Sequence, residues 1–192
     1  MGGVTAPLEL ATADAEGTQA VAAAIASYCA PGDVLLLVGD LGAGKTTSAQ
    51  GFGRALGIVE SITSPTFTLV RQYPVTGSGP GGVECLIHAD VYRLEHLQEV
   101  TDLGIGELVE DGGVALVEWG DAAAPVLGAG ALTVQLQAGG GTDGTDLGAG
   151  TDEVGYDLDQ PRWLRLTADP DDAGWGQRWP GLTSAVDRWV VR

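Results

Sequence analysis

Apolar and polar positions follow distinct periods along this chain, and each period predicts one kind of element. The continuous apolar run 34–38 is typical of a central strand that is covered on both faces. Before it, residues 14–28 form an alanine-rich segment whose larger apolar side chains share one helical face, and Thr12 or Asp14 can cap it. We therefore expect a helix that is followed by a buried strand.

A second helix and a hairpin are predicted downstream. Residues 45–56 suit a helix that ends at Gly57. Residues 67–73 and 84–89 alternate apolar and polar side chains as half-buried strands do, and turn-forming residues 74–82 separate them. We expect these two strands to pair as an antiparallel hairpin with a long tip.

The remaining pattern predicts an α/β fold with a mixed β-sheet flanked by helices. Residues 94–109 read as two short helices that are interrupted around Gly104 and Gly106. The other predicted elements are a buried strand over 114–118, two last strands over 132–137 and 162–167, and a short helix over 183–190.

The length of 192 residues, of which 44% are hydrophobic, predicts one domain with a single core. We divide it into a core over 1–137, an insert over 138–155, and a segment over 156–192 that holds the last strand and a tryptophan-bearing tail. The insert consists largely of Gly, Thr and Asp, which bury too little apolar surface to order themselves. It suggests a flexible hairpin tip, with a calcium-binding repeat as the alternative.

Charge and composition narrow the possible partners and the compartment. The formal charge of −17 comes from 26 acidic and 9 basic residues, which disfavours direct binding of RNA or DNA. No apolar stretch approaches a membrane span, and the first ten residues do not resemble a secretory signal. The two cysteines form no metal-ligand pattern, and free thiols suit a reducing compartment. We expect a soluble, cytoplasmic protein.

A phosphate-binding loop follows the first predicted strand. Gly39, Gly44, Lys45 and Thr46 fit the G-x-x-x-x-G-K-[ST] pattern, and the strand before it and the helix after it are its required context. Glycines let backbone amides approach phosphate oxygens, the lysine reaches the β- and γ-phosphates, and the threonine hydroxyl ligates Mg²⁺. The fold is therefore P-loop NTPase-like, and the predicted nucleotide-binding residues are Asp40, Leu41, Gly42, Ala43, Gly44, Lys45, Thr46 and Thr47.

Two carboxylates at predicted strand ends complete the candidate site. Glu118 is placed like a Walker B acid that reaches the metal, and Asp90 can bind a metal-bound water or orient the attacking oxygen. For each of them the alternative is a solvated carboxylate at a strand terminus. His88 shares the face of Asp90 and is either a structural hydrogen-bonding group or part of the site. Arg93 can reach phosphate or pair with a nearby acid.

These motifs together resemble the TsaE family, the P-loop ATPases of bacterial tRNA threonylcarbamoyladenosine biosynthesis. The resemblance covers about residues 12–137, and its motifs are residues 39–46 (GDLGAGKT), 64–67 (SPTF), 88–94 (HADVYRL) and 117–119 (VEW). It implies a cytoplasmic ATPase that uses ATP and Mg²⁺ and works with TsaB and TsaD partners. Those partners carry the tRNA, so this chain would meet tRNA only indirectly, and neither a membrane nor DNA is implied.

The resemblance also implies a role for individual residues. It makes Thr46 and Glu118 the metal ligands, Lys45 the phosphate clamp and Asp90 the catalytic carboxylate. Residues 64–67 resemble a switch-like loop that could respond to the γ-phosphate.

Two further positions come from the resemblance alone. Trp119 matches the family's tryptophan beside the acid, near the nucleotide, and Thr18 matches a threonine near the adenine. The insert and the long tail depart from the compact family pattern.

Two other functions stay open at this point. A small-molecule P-loop kinase would need lid arginines, and few basic residues follow Glu118. A nucleotide-sensing protein with negligible turnover is the third possibility. A GTPase with an Asn-Lys-x-Asp guanine reader is excluded because Lys45 is the chain's only lysine.

Overall fold

The strands form one mixed sheet, which confirms the predicted fold class. The computed structural model describes residues 6–65, 67–77, 79–94, 96–139 and 160–191. Within these residues there are seven strands, which are β1 Leu8–Thr12, β2 Val34–Val38, β3 Val70–Pro74, β4 Cys85–Asp90, β5 Gly113–Glu118, β6 Leu132–Ala138 and β7 Arg162–Thr167. They lie in the order β1-β7-β6-β2-β5-β4-β3.

The centre of the sheet is parallel and its two sides are antiparallel. β2 pairs in parallel with β5 and β6, and β4 pairs in parallel with β5. β3 is antiparallel to β4, as the hairpin prediction requires, and β7 is antiparallel to β6 and β1. Because β2, β4 and β5 run in the same direction, their carboxyl ends share one edge of the sheet, where ligands bind in open α/β sheets.

Helices cover both faces of this sheet. On one face, α1 (Ala15–Ala26), α2 (Lys45–Ala55) and α6 (Trp175–Val186) pack on side chains such as Leu35 and Leu116. On the other, α3 (Leu97–Asp102), α4 (Ile105–Glu110) and α5 (Gly120–Leu127) pack on Leu36 and Val117. The alternating sides of neighbouring strand residues explain why β2 and β5 read as unbroken apolar runs.

Several predicted boundaries were wrong for identifiable reasons. The predicted strand 67–73 begins only at Val70, because the residues before it form a turn. In this turn the Pro65 carbonyl accepts hydrogen bonds from the amides of Thr68 and Leu69. The predicted helix 183–190 lies earlier, over Trp175–Val186, and a short 3₁₀ segment, Asp187–Trp189, follows it.

Two elements were not predicted at all. β1 was missed, so the run 34–38 is the second strand rather than the first. β1 is a short alternating segment whose partner β7 lies about 150 residues further along the chain. α5 has only eight residues and contains Pro125, which weakens its helical signal.

No described helix is both long and apolar enough to cross a membrane. The two cysteines are free thiols, as predicted. Cys29 is buried, and this burial raises the pKa of its thiol. Cys85 is partly exposed.

Of the predicted insert 138–155, residues 140–155 lie outside the described residues, so the division of the insert from the core stays a prediction.

The tryptophan-bearing tail is part of the core. Trp175 on α6 is fully buried, and the Arg178 guanidinium lies 4.3 Å above its ring. Arg178 also donates to both carboxylate oxygens of Asp33, at 2.5 and 2.7 Å, and to the Tyr28 carbonyl at 2.6 Å. The bonds to Asp33 raise the pKa of Arg178. This ion pair therefore fastens α6 to the connection between α1 and β2.

We expect Arg178→Met to lower the free energy of unfolding by about 3 kcal/mol, because Asp33 is left as a nearly buried, unpaired charge. Arg165→Met is the matched control, because Arg165 pairs with Glu9 on the exposed surface and its loss should cost less than about 1 kcal/mol. Urea unfolding of the two variants measures both values. Equal stability losses would contradict an anchoring role for Arg178.

Candidate nucleotide and metal site

The loop between β2 and α2 has a backbone that only glycine adopts easily. Gly39, Gly42 and Gly44 have φ values of 151°, 83° and 104°. A Cβ on Gly39 would lie 2.3 Å from the carbonyl oxygen of Leu136, so the loop packs directly on the backbone of β6. The conformation therefore depends on glycine for its torsion angles and for this close approach.

The first turn of α2 begins at a glycine. Gly44 is the N-cap residue in a left-handed conformation, and no side chain among the described residues caps this helix. Amides of an uncapped first turn, together with the positive end of the helix dipole, suit a phosphate group. The loop has the geometry that its sequence pattern predicts.

Lys45 begins α2 and turns back over the loop. Its ammonium donates to the carbonyls of Gly39 and Asp40 at 2.7 and 2.8 Å and lies 3.8 Å from the centre of the Trp119 ring. Burial lowers the pKa of Lys45, and the carboxylates of Glu118 and Asp90 oppose that shift. A buried cation thus lies between the loop and the two predicted acids.

Thr46 and Glu118 meet across the sheet edge. The Thr46 hydroxyl lies 3.0 and 3.2 Å from the two carboxylate oxygens of Glu118, which is almost fully buried at the end of β5. A hydroxyl and a carboxylate are the hard oxygen ligands that Mg²⁺ prefers, so the pair fits this metal. Within the described ranges there is no group of three or more His, Cys, Asp or Glu that could hold a metal.

Asp90 lies beside Glu118 in the register of β4 and β5. One carboxylate oxygen accepts from the Ser64 hydroxyl at 2.8 Å and the other accepts from the Tyr92 amide at 3.1 Å. The Asp90 amide donates to the carbonyl of Leu69, which has a left-handed φ of 63°. The predicted switch-like loop 64–67 is therefore joined to Asp90 through Ser64, while Thr66 lies outside the described residues.

Trp119 and its neighbours form an aromatic surface beside the acids. Trp119 directly follows Glu118 in a left-handed conformation, and its ring centre lies 4.6 Å from that of Tyr92. Arg93 lies 5.0 Å above the ring of the exposed Phe67. Arg93 thus contacts the loop 64–67, and its role toward phosphate or a nearby acid stays a prediction.

The structure brings most of the predicted site residues to one edge. Asp40, Leu41 and Gly42 are exposed at the tip of the loop, Ala43, Lys45, Asp90 and Glu118 are buried, and Thr46 and Thr47 are partly exposed. Thr18 is fully buried on α1, and its hydroxyl bonds to Thr12 and donates to the Asp14 carbonyl. Its proximity to adenine stays a prediction.

One neighbour of the loop was not predicted as a site residue. Arg162 on β7 is almost fully buried, and its side chain would lie 2.9 Å from a Cβ on Gly44. A charged residue at the start of a predicted strand does not indicate a contact across more than a hundred residues.

The chain matches the model of the family described as "Threonylcarbamoyl adenosine biosynthesis protein TsaE" over residues 12–144. Curated relatives have the name tRNA threonylcarbamoyladenosine biosynthesis protein TsaE. The Bacillus subtilis protein is 47% identical over 112 residues, which cover 58% of this chain and 66% of that protein. The Streptomyces coelicolor protein is 43% identical over 98 residues, which cover 50% of this chain and 63% of that protein. Each alignment spans less than two thirds of the relative's own length.

A solved structure is similar over nearly the whole chain. The crystal structure of Bacillus subtilis YdiB aligns with a TM-score of 0.64 and 31% sequence identity, and the alignment covers 98% of both chains. The chain therefore shares its overall fold with that protein.

We expect Gly39→Ala to destabilise the protein by about 1–3 kcal/mol, because the new methyl group meets the Leu136 carbonyl. Gly106→Ala is the matched control, since a Cβ there meets nothing within 4 Å and lies in α4. Denaturant unfolding measures both. A Gly39→Ala variant as stable as Gly106→Ala would show that the loop has room to move away from β6.

Proposed function

The chain belongs to the TsaE family, and we propose that it is a Mg²⁺-dependent ATPase that supports tRNA threonylcarbamoyladenosine modification together with TsaB and TsaD. In this proposal, ATP binding and hydrolysis in the cytoplasm reset or activate the partner complex, and this chain does not itself modify the base. The observation that supports it most is the approach of Thr46 to Glu118 beside the phosphate loop.

Each residue of the proposed site has a distinct task. The loop amides and the Lys45 ammonium bind and orient the phosphates. Thr46 and Glu118 hold Mg²⁺, which when bound neutralises negative charge on the phosphate oxygens. Asp90 orients the attacking oxygen, and Trp119 packs on Lys45 and limits the access of water to it.

The link from Ser64 to Asp90 supports a switch-like role for the loop 64–67. A change at the γ-phosphate that moves Asp90 alters the partner of the Ser64 hydroxyl. In this proposal the exposed Phe67 would move with the same loop and pass the change to a partner protein.

The charge of the chain agrees with partners that hold the tRNA. A protein with a formal charge of −17 repels a polyanion, and direct tRNA binding needs clustered basic residues. We therefore assign tRNA contact to TsaB and TsaD rather than to this chain.

The kinase alternative is weakened by the arginines after Glu118. Arg162 is buried, Arg165 pairs with Glu9, Arg178 pairs with Asp33, and Arg188 stacks on Trp189. Each of these described arginines has a contact within the fold, which counts against a role as a lid residue. A nucleotide sensor with negligible turnover uses the same site, and only activity measurements separate it from the ATPase.

We expect Lys45→Ala to weaken ATP binding by about 10- to 100-fold, because it removes a charged hydrogen-bond donor from the phosphates. Glu118→Ala should retain much of the binding and lower hydrolysis by about 100-fold, because a metal ligand is lost. Titration of a fluorescent ATP analogue and phosphate release measure the two effects. Glu110→Ala, which removes an exposed carboxylate, is the control. Wild-type turnover in both site variants would contradict the assignment.

The test of the partner role is hydrolysis with and without TsaB and TsaD. We expect phosphate release to rise when both are added and the rise to disappear in Glu118→Ala. Transfer of phosphate to a small acceptor would favour the kinase instead. ATP binding without turnover under either condition would favour the sensor.

A further inference from the structure

His88 makes a buried hydrogen bond to the proposed metal ligand. It lies on β4 two residues before Asp90, its side chain is fully buried, and its Nε2 is 2.9 Å from Oε1 of Glu118. A carboxylate only accepts hydrogen bonds, so the imidazole donates from Nε2. The sequence left open whether His88 belongs to the site, and this bond joins it to the site through Glu118.

The other ring nitrogen has no such partner. Within the described part of the chain, Nδ1 of His88 is buried and makes no hydrogen bond. A buried polar atom without a partner costs about 1–3 kcal/mol, so an apolar side chain of similar size would fill this position at least as well. Packing alone therefore does not account for an imidazole here, whereas its bond to Glu118 does.

Glu118 is held from two sides. Oε1 accepts from His88 on β4 and lies 3.0 Å from the Thr46 hydroxyl on α2. The bond to His88 fixes the rotation of the carboxylate about its last side-chain torsion angle. That rotation decides whether both oxygens face Thr46, with which Glu118 would share the metal.

We propose that His88 is the positioning residue of the metal site, which holds the Glu118 carboxylate toward Thr46 through its Nε2–H. The inference rests on the proposed function, since it takes Glu118 as a ligand of Mg²⁺. The hydrogen bond that His88 makes in the described part of the chain goes to Glu118 and not to the phosphate loop or Lys45. We therefore expect its contribution to concern the metal rather than the nucleotide. Loss of such an outer hydrogen bond typically weakens metal affinity by about 10- to 100-fold.

The test compares side chains that keep or lose a donor at the position of Nε2. His88→Gln places an amide nitrogen at a similar distance along the side chain. His88→Met has a side chain of similar length without a donor, and the side chain in His88→Asn is too short to reach Glu118. The affinity for a fluorescent ADP analogue is measured in EDTA and during a Mg²⁺ titration, and Mn²⁺ binding is followed by electron paramagnetic resonance. ADP avoids any dependence on turnover.

We expect His88→Met and His88→Asn to require about tenfold more Mg²⁺ than the wild type, with unchanged ADP affinity in EDTA. His88→Gln should regain most of the metal affinity. Leu86→Ala, at another buried position on β4, is the control for general loss of stability and should leave the Mg²⁺ requirement unchanged. If the His88→Met variant does not fold, the comparison of His88→Gln with His88→Asn gives the same test.

The possible results separate this inference from the proposed function. A wild-type Mg²⁺ requirement in His88→Met and His88→Asn, or an equal loss of ADP affinity with and without the metal, would overturn the role of His88 and leave the metal site intact. A wild-type protein whose ADP binding and Mn²⁺ signal show no metal effect would overturn the metal site itself, and this inference with it.

Discussion

The candidate site depends on the meeting of Thr46 and Glu118, which are 72 residues apart in the chain. They meet because β2 and β5 are parallel neighbours and Leu37 lies opposite Glu118 in their register. A shift of β5 by one residue would turn Glu118 to the opposite face of the sheet, where α3, α4 and α5 pack. The strand register is thus the physical constraint on which the proposed metal site depends.

Burial of charged and polar groups is the second feature of this edge. Lys45, His88, Asp90 and Glu118 are each at most 5% exposed. Groups of this kind are costly to bury unless they bond to one another, and inside the protein those bonds are stronger than in water. Each of the four has at least one partner in the site. In the proposed function, a bound triphosphate competes with the loop carbonyls for Lys45.

Segments far from the phosphate loop in sequence support its shape. Gly39 packs on the backbone of β6, and Gly44 packs on Arg162 of β7. β1 then pairs with β7, and Val190 of the tail bridges to Leu10. The described segments 132–138, 162–167 and 187–190 are therefore part of the frame that holds the loop.

The sequence by itself determined the elements whose signals are local. The spacing of Gly39, Lys45 and Thr46 identified the loop, the apolar runs identified the central strands, and carboxylates at strand ends identified Asp90 and Glu118. Tertiary structure alone decided which of these groups touch.

The contacts of His88 with Glu118, of Ser64 with Asp90 and of Arg162 with the loop join residues that are dozens of positions apart. The same holds for the pairing of β1 and the anchoring of α6. The periodicity of a segment reflects which of its own faces is buried. It does not encode strand order or register, and those two properties decide which distant side chains become neighbours.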